Sequence, residues 1–166
     1  MITIDLFIIL QPYLLTNMTA LCFPKYPFRI KTEGTHQMIF DRIRKKWLVL
    51  TPEEWVRQHM LRYLAEDKNY PSSLMAIEMG LQLNGTKKRC DIAMYNNKGE
   101  AISLVECKAP TIKITQAAFD QIARYNMELK VKYLIVTNGL KHYCCVIEFD
   151  KKDYQFLNGV PNYQDL

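Results

Sequence analysis

Short runs of alternating apolar and polar residues give way to helical spacing and back again, and this order lays out the chain. Residues 37–41 (Gln-Met-Ile-Phe-Asp) and 46–50 (Lys-Trp-Leu-Val-Leu) are strand-like and flank a basic Arg42-Ile-Arg-Lys45 stretch, which predicts a hairpin with an electropositive loop. Thr51-Pro52-Glu53-Glu54 then announces a helix from residue 52 to about residue 66. Thr51 is its N-cap, Pro52 its first helical residue, and Glu54 the acid that closes a capping box. At 100° per residue, Val56, Met60, Tyr63 and Leu64 form the apolar face, with Glu53 at its centre and Glu54 near its edge. Glu53 rather than Glu54 is therefore expected to point inward, although an acid in a first turn also complements the helix dipole or pairs with Arg57.

Three strand-like runs follow at 74–83, 89–96 and 102–109, the last two joined by an Asn96-Asn-Lys-Gly99 turn. A second helix is predicted over 116–130 behind Thr115. A buried strand over 133–137 ends at Asn138-Gly139, and 142–149 adds another. Helix, three strands, helix, strand, strand is an α/β order that suits a single domain built on a mixed β-sheet flanked by helices. The domain is expected to span 28–166 behind an N-terminal extension over 1–27, of which the first seventeen residues are separable. That extension is apolar, but Asp5, Gln11 and Pro12 break it below the ~20 residues a bilayer requires. No Lys or Arg precedes Lys25, as a signal peptide would need. A cytoplasmic protein with no membrane partner is expected.

Composition changes this picture little. Over 166 residues, 49% apolar and 23% charged side chains exclude a disordered or low-complexity chain, and a net charge of +5 favours an anionic partner without demanding one. The five cysteines, without a C-x-x-C pair, read as core residues of a reducing compartment. His36, His59 and His142 show no paired spacing and are not expected to ligate a metal.

Chemistry is concentrated elsewhere. Asp91 lies on one predicted strand, and Glu106 and Lys108 on the next. Side chains alternate along a strand, so Glu106 and Lys108 share a face while Val105 and Cys107 take the other. Charges set into an apolar strand are costly unless paired or bound to metal. The pair is thus either a functional site or the solvent face of a half-exposed strand. On the second helix Gln121 and Tyr125 lie four apart, beside the stripe of Phe119, Ile122 and Leu129. Lys87, Lys88 and Arg89, with Arg44 and Lys45 in the hairpin loop, are either phosphate contacts or solvated surface.

Taken together, Asp91, Glu106-x-Lys108 and Gln121-x-x-x-Tyr125, with an acid on a preceding helix, resemble the PD-(D/E)xK nuclease superfamily, the last element being similar to that of RecB-type nucleases. More closely, Thr51-Pro-Glu53-Glu-Trp-Val-Arg57-Gln, Lys88-Arg-Cys-Asp91-Ile, Val105-Glu106-Cys-Lys108-Ala-Pro and Phe119-Asp-Gln121-Ile-Ala-Arg-Tyr125-Asn resemble the N-terminal nuclease domain of type I restriction enzyme R subunits in a short stand-alone form. The similarity runs from about residue 22 to residue 163. Two departures stand out. Cys90 replaces the proline of the superfamily's name, and the motor is absent: Gly80-x4-Gly85 is followed by Thr86-Lys87 and is no phosphate loop.

The resemblance implies a restriction-endonuclease-like fold and Mg²⁺- or Mn²⁺-dependent hydrolysis of DNA. Asp91 and Glu106 would be the metal ligands, with Glu53 as a third acid. Lys108 would orient or deprotonate water and steady the transition state, with Gln121 and Tyr125 positioning Lys108 or the phosphate. Lys87, Lys88, Arg89, Arg44 and Lys45 would receive the nucleic-acid backbone. The implied partners are DNA and a restriction-modification or helicase subunit, and a homo-oligomer is left open. Two readings compete: a catalytically silent nucleic-acid-binding module of the same fold, and an interaction protein whose charged strand is a solvent face.

Overall fold

Local chemistry starts the chain in a tight meander. The computed structural model describes residues 18–83, 86–151 and 153–166, and the separability expected of residues 1–17 falls outside them. Strands β1 (Ile30–Glu33), β2 (His36–Asp41) and β3 (Lys46–Val49) form an antiparallel three-stranded sheet in which Ile30, Ile39 and Leu48 stand opposite one another. Asp41 closes the second hairpin by accepting the N–H groups of Ile43 at 2.9 Å and Arg44 at 2.8 Å, an Asx turn. The inner face of this sheet packs on Phe28 and Trp55.

Helix α1 (Pro52–Arg62) begins where expected, with Thr51 Oγ1 accepting the Glu54 N–H at 3.0 Å, and a π-helical turn at Tyr63–Asp67 prolongs it. The main sheet has the order β4 (Met75–Leu83), β5 (Thr86–Tyr95), β6 (Ala101–Cys107), β7 (Tyr133–Thr137), β8 (His142–Glu148), β9 (Asp153–Leu157). Only β6 and β7 run parallel, joined through helix α2 (Gln116–Leu129), so the sheet is mixed as expected.

Helices α1 and α2 cover opposite faces. Val56, Met60 and Leu64 of α1 pack on Ile92, Met94, Val105, Ile135 and Cys144. Ala118 and Ile122 of α2 pack on Ala93, Leu104, Leu134, Val136 and Cys145. Neighbouring residues 93 and 94, 104 and 105, 134 and 135, and 144 and 145 thus split between the two layers, as period-2 alternation demands. With both faces covered, β6 is buried from Ser103 to Cys107, so the half-exposed strand considered for Glu106 does not exist.

Residues 18–27 belong to the packed body. Leu21 and Phe23 pack on the main core, the Cys22 N–H donates to the Gly139 carbonyl at 2.7 Å, and Trp55 Nε1 donates to the Thr19 carbonyl at 3.2 Å. Gly139, at φ +79, admits this segment: a Cβ there would stand 2.7 Å from Leu21. The extension predicted over 1–27 is therefore integrated from Met18 onward. Among the described residues no helix is long and apolar enough to cross a membrane.

Candidate active site

The acids meet where the sheet's regular pairing gives way. β5 and β6 pair from Tyr95–Ala101 to Ile92–Val105, and beyond this the Cys107 N–H is taken by Asp91 Oδ2 at 2.6 Å, a side chain standing in for the β5 main chain. On the other side of β5 the register runs Ile77–Ile92 and Met79–Cys90, and Glu78 between them adopts a left-handed conformation at φ 52. A non-glycine residue there costs on the order of 1–3 kcal/mol and persists only where its surroundings impose it. Its surroundings are cationic: Glu78 accepts from Arg44 Nη1 at 2.7 Å and lies 3.7 Å from Arg57 Nη1.

Helix α1 turns an ionic edge toward this point. Arg57 Nη2 donates to Asp91 Oδ1 at 2.6 Å and lies 3.5 Å from Glu53 Oε1, while Nη1 donates to Glu54 Oε2. Glu54 also accepts from Gln58 at 2.8 Å and Arg44 at 3.2 Å, and Arg44 Nε donates to the fully buried Asp41 at 2.6 Å. A ladder of charges thus runs from the β2–β3 hairpin through α1 to Asp91. Burial pulls the Asp41 carboxyl up, but the Arg44 backbone N–H and then its guanidinium hold it below its ordinary value.

Next to Asp91, Glu106 Oε1 accepts from Lys108 Nζ at 2.6 Å, and the Lys108 N–H donates to the Thr137 carbonyl at 2.8 Å, fixing the strand end. Burial raises the Glu106 carboxyl, and the charge of Asp91 adds to it; the same two causes raise Glu53. Burial pulls Lys108 down, but Glu106, Glu53 and Asp91 outweigh it and leave the ammonium above its ordinary value. Glu53, Asp91, Glu106 and Lys108 therefore lie within electrostatic reach of one another.

The other candidates divide. Glu53, expected to point inward, lies 3.5 Å from Arg57 with its side chain 46% exposed, and it is Glu54, at 8% exposure, that is buried. The capping box is half made: Thr51 caps the Glu54 N–H, while the Glu54 carboxylate turns inward to the Gln58 amide and to Arg57 and Arg44, two cations that are stronger donors than a backbone N–H. Arg44, expected at a phosphate backbone, is held instead by Asp41, Glu54 and Glu78. Lys45 is exposed at the hairpin tip, and Arg89 is exposed 3.9 Å from Glu78. The side chains of Lys87, Lys88, Gln121 and Tyr125 lie outside the described residues.

Sequence reasoning gave Arg57 only a role as mate of Glu53 and passed over Glu78 and the Cys107 N–H. A cation flanked at i−3 and i−4 by acids on a helix with an inward polar edge was the available signal for Arg57. For Glu78 and Cys107 there was none.

The fit to a divalent metal rests on donor chemistry. Three carboxylates gather, two of them raised by burial first and by the charge of Asp91 second, and the latter is a repulsion that a hard cation relieves. Among the described residues no three His, Cys, Asp or Glu side chains stand at ligating spacing, and Arg57 and Lys108 neutralise the acids from within.

Comparison with known proteins agrees with this architecture. The family described as type I restriction enzyme R protein N terminus (HSDR_N) matches residues 52–161. The solved structure of a fragment assigned as an HsdR subunit of a type I restriction enzyme from Vibrio vulnificus YJ016 shares the fold over 68% of the chain, with a TM-score of 0.51 and 19% identity. The match spans 24% of that longer chain. No curated protein matches.

Proposed function

The chain belongs to the type I restriction enzyme R protein N-terminus family, and from that premise we propose that it is a metal-dependent DNA nuclease domain of the PD-(D/E)xK type, working with a restriction system. The observation that carries this reading is the convergence of Asp91, Glu106 and Lys108 where β5–β6 pairing ends, with Glu53 and Arg57 of α1 beside them. Asp91, Glu106 and Glu53 would hold Mg²⁺ or Mn²⁺. When bound, such an ion supplies Lewis-acid stabilisation and an activated water.

The chain's own residues do the rest. The Cys107 N–H and Arg57 fix the Asp91 carboxylate, and Glu106 holds Lys108 at the strand end. Held there, Lys108 would orient or deprotonate water and steady the charge that develops on the phosphate. Gln121 and Tyr125 of α2 would position Lys108 or the phosphate, and Lys87, Lys88 and Arg89 would receive the backbone. The protein partner would be a restriction-modification or helicase subunit, the location cytoplasmic, and sedimentation of the purified chain would reveal a homo-oligomer.

The test is cleavage by the full chain of duplex DNA, single-stranded DNA and RNA with Mg²⁺ or Mn²⁺. Asp91→Ala and Glu106→Ala are expected to abolish DNA cleavage while melting stays cooperative, and Lys108→Ala to slow it by about 10²–10³. Cleavage that persists in Asp91→Ala would place the activity elsewhere. One observation favours a second reading, a silent nucleic-acid-binding module: Arg57 and Lys108 already neutralise the acids. Binding without cleavage of any of these substrates would establish it.

A further inference from the structure

Away from the acids, a groove of about 1490 Å³ is lined by residues of the three-stranded sheet, of α1 and of the turns that follow it. None of Glu53, Asp91, Glu106 and Lys108 lines it. Its lining carries five cations, Arg29, Lys31, Arg42, Lys45 and Arg62, against one carboxylate, Glu66. Arg29 and Lys45 form no ion pair among the described residues, and Arg42 reaches Glu66 only at 3.5 Å across exposed surface. A surface with this balance recruits a polyanion.

Aromatic rings are set among these charges. Phe40 of β2 and Trp47 of β3 are cross-strand partners, with ring centroids 5.3 Å apart. They alternate with Ile39 and Leu48, which face the small core, so the two rings occupy the sheet's other face and remain partly exposed. Arg29 lies 4.4 Å from the Phe40 centroid and Lys31 lies 4.8 Å from that of Trp47. Charge alone would suit the phosphates of a duplex. Flat rings interleaved with cations add a contact that only unpaired bases can use, because duplex bases are stacked on each other.

We propose that this groove binds single-stranded nucleic acid, with phosphates on Arg29, Arg42 and Lys45 and bases stacked on Trp47 and Phe40. The site goes beyond the nuclease reading and stands whether or not the acids cleave.

Binding is measured on the full chain without divalent cations, using twenty-nucleotide oligothymidylate, oligouridylate, a duplex of the same length and a polyglutamate peptide. The single strands are expected to bind more tightly than the duplex, and the tighter of the two identifies DNA or RNA as the source. Trp47→Ala should weaken single-strand binding by about 5- to 150-fold, and Trp47→Phe, which keeps a ring, should retain most of it. Lys45→Gln should lower the log-log salt slope by about 0.7.

Should Trp47→Ala not fold, tryptophan emission decides: the single strand should quench the wild type, whose other tryptophan, Trp55, is buried, and leave Trp47→Phe unquenched. Binding reads the groove through Trp47→Ala and Lys45→Gln, and cleavage reads the cleft through Asp91→Ala, which separates failure of the one from failure of the other. Equal affinity for duplex, indifference of a folded Trp47→Ala, or polyglutamate binding as tight as the single strand would overturn the proposal, the last by assigning the groove to an acidic protein.

Discussion

Helices α1 and α2 cover opposite faces of one sheet with different chemistry. Among its described residues α2 presents Ala118 and Ile122 to the sheet, an apolar contact whose only buried polar member, Asn126, accepts the Val131 N–H at 2.6 Å to finish the helix. α1 presents Val56, Met60 and Leu64 in the same manner, but beside them it buries Glu54, Arg57, Gln58 and His59. Replacing a buried ion pair with packed apolar residues is often neutral or stabilising, so stability alone does not account for the polar edge of α1. That edge ends on Asp91. The contrast marks α1 as the helix that organises the site and α2, in its described part, as the helix that packs.

The largest expected effect tests that division directly. Arg57→Ala would leave the buried Glu54 and the half-buried Asp91 without this guanidinium, so urea denaturation should show a loss of about 3–5 kcal/mol. A near-zero change would make the α1 edge ordinary surface. In α2, Ile122→Ala should cost about 2–5 kcal/mol by opening a cavity, while the cleavage rate of the folded fraction stays unchanged. A comparable loss of turnover at equal folding would show that the apolar face of α2, and not only Gln121 and Tyr125, bears on the chemistry. Thr51→Ala removes the α1 cap and should cost about 1 kcal/mol, with Thr51→Ser restoring it in thermal melts.

The smallest effect is a pH dependence. Burial lowers both His59 on α1 and His142 on β8, so their neutral forms are favoured in the folded chain. Their contribution is fully present above the unfolded value of about 6.5 and is lost as pH falls through the depressed folded values. Glu53 and Glu106 act in the opposite sense: being raised, their contribution is present below the unfolded carboxylate value and lost as pH rises through the folded one. Comparing melts of the wild type and His59→Gln between pH 8 and pH 5 isolates the histidine part, which should appear as a shallower fall in the variant.

Several of these features were legible before folding. Thr51-Pro52 announced α1, Asn96–Gly99 the β5–β6 turn and Asn138-Gly139 the end of β7, because turn and cap chemistry is local. β1 and β9 were missed: Lys31, Thr32 and Glu33 carry no apolar alternation, and the alternation of β9 is only four residues long (Asp153 to Phe156), both being edge strands with little to bury. Glu54 was read as a cap partner and Arg44 as a surface cation. Each followed its immediate neighbours correctly and was redirected by a residue far away in the chain.

The sequence by itself determined the order of elements from β2 to β8, the shared face of Glu106 and Lys108, and the family, since all three depend on spacing along a few residues. Only the tertiary structure decided that Arg57 would clasp Asp91, 34 residues further on, and that β6 would be covered on both faces. It also decided that Arg44 would be consumed by Asp41, Glu54 and Glu78, while Lys45 beside it lines a groove. Those outcomes depend on which charges become neighbours in a low-dielectric interior. There, ion pairs separated in sequence outweigh local preferences of a fraction of a kcal/mol to about 1 kcal/mol.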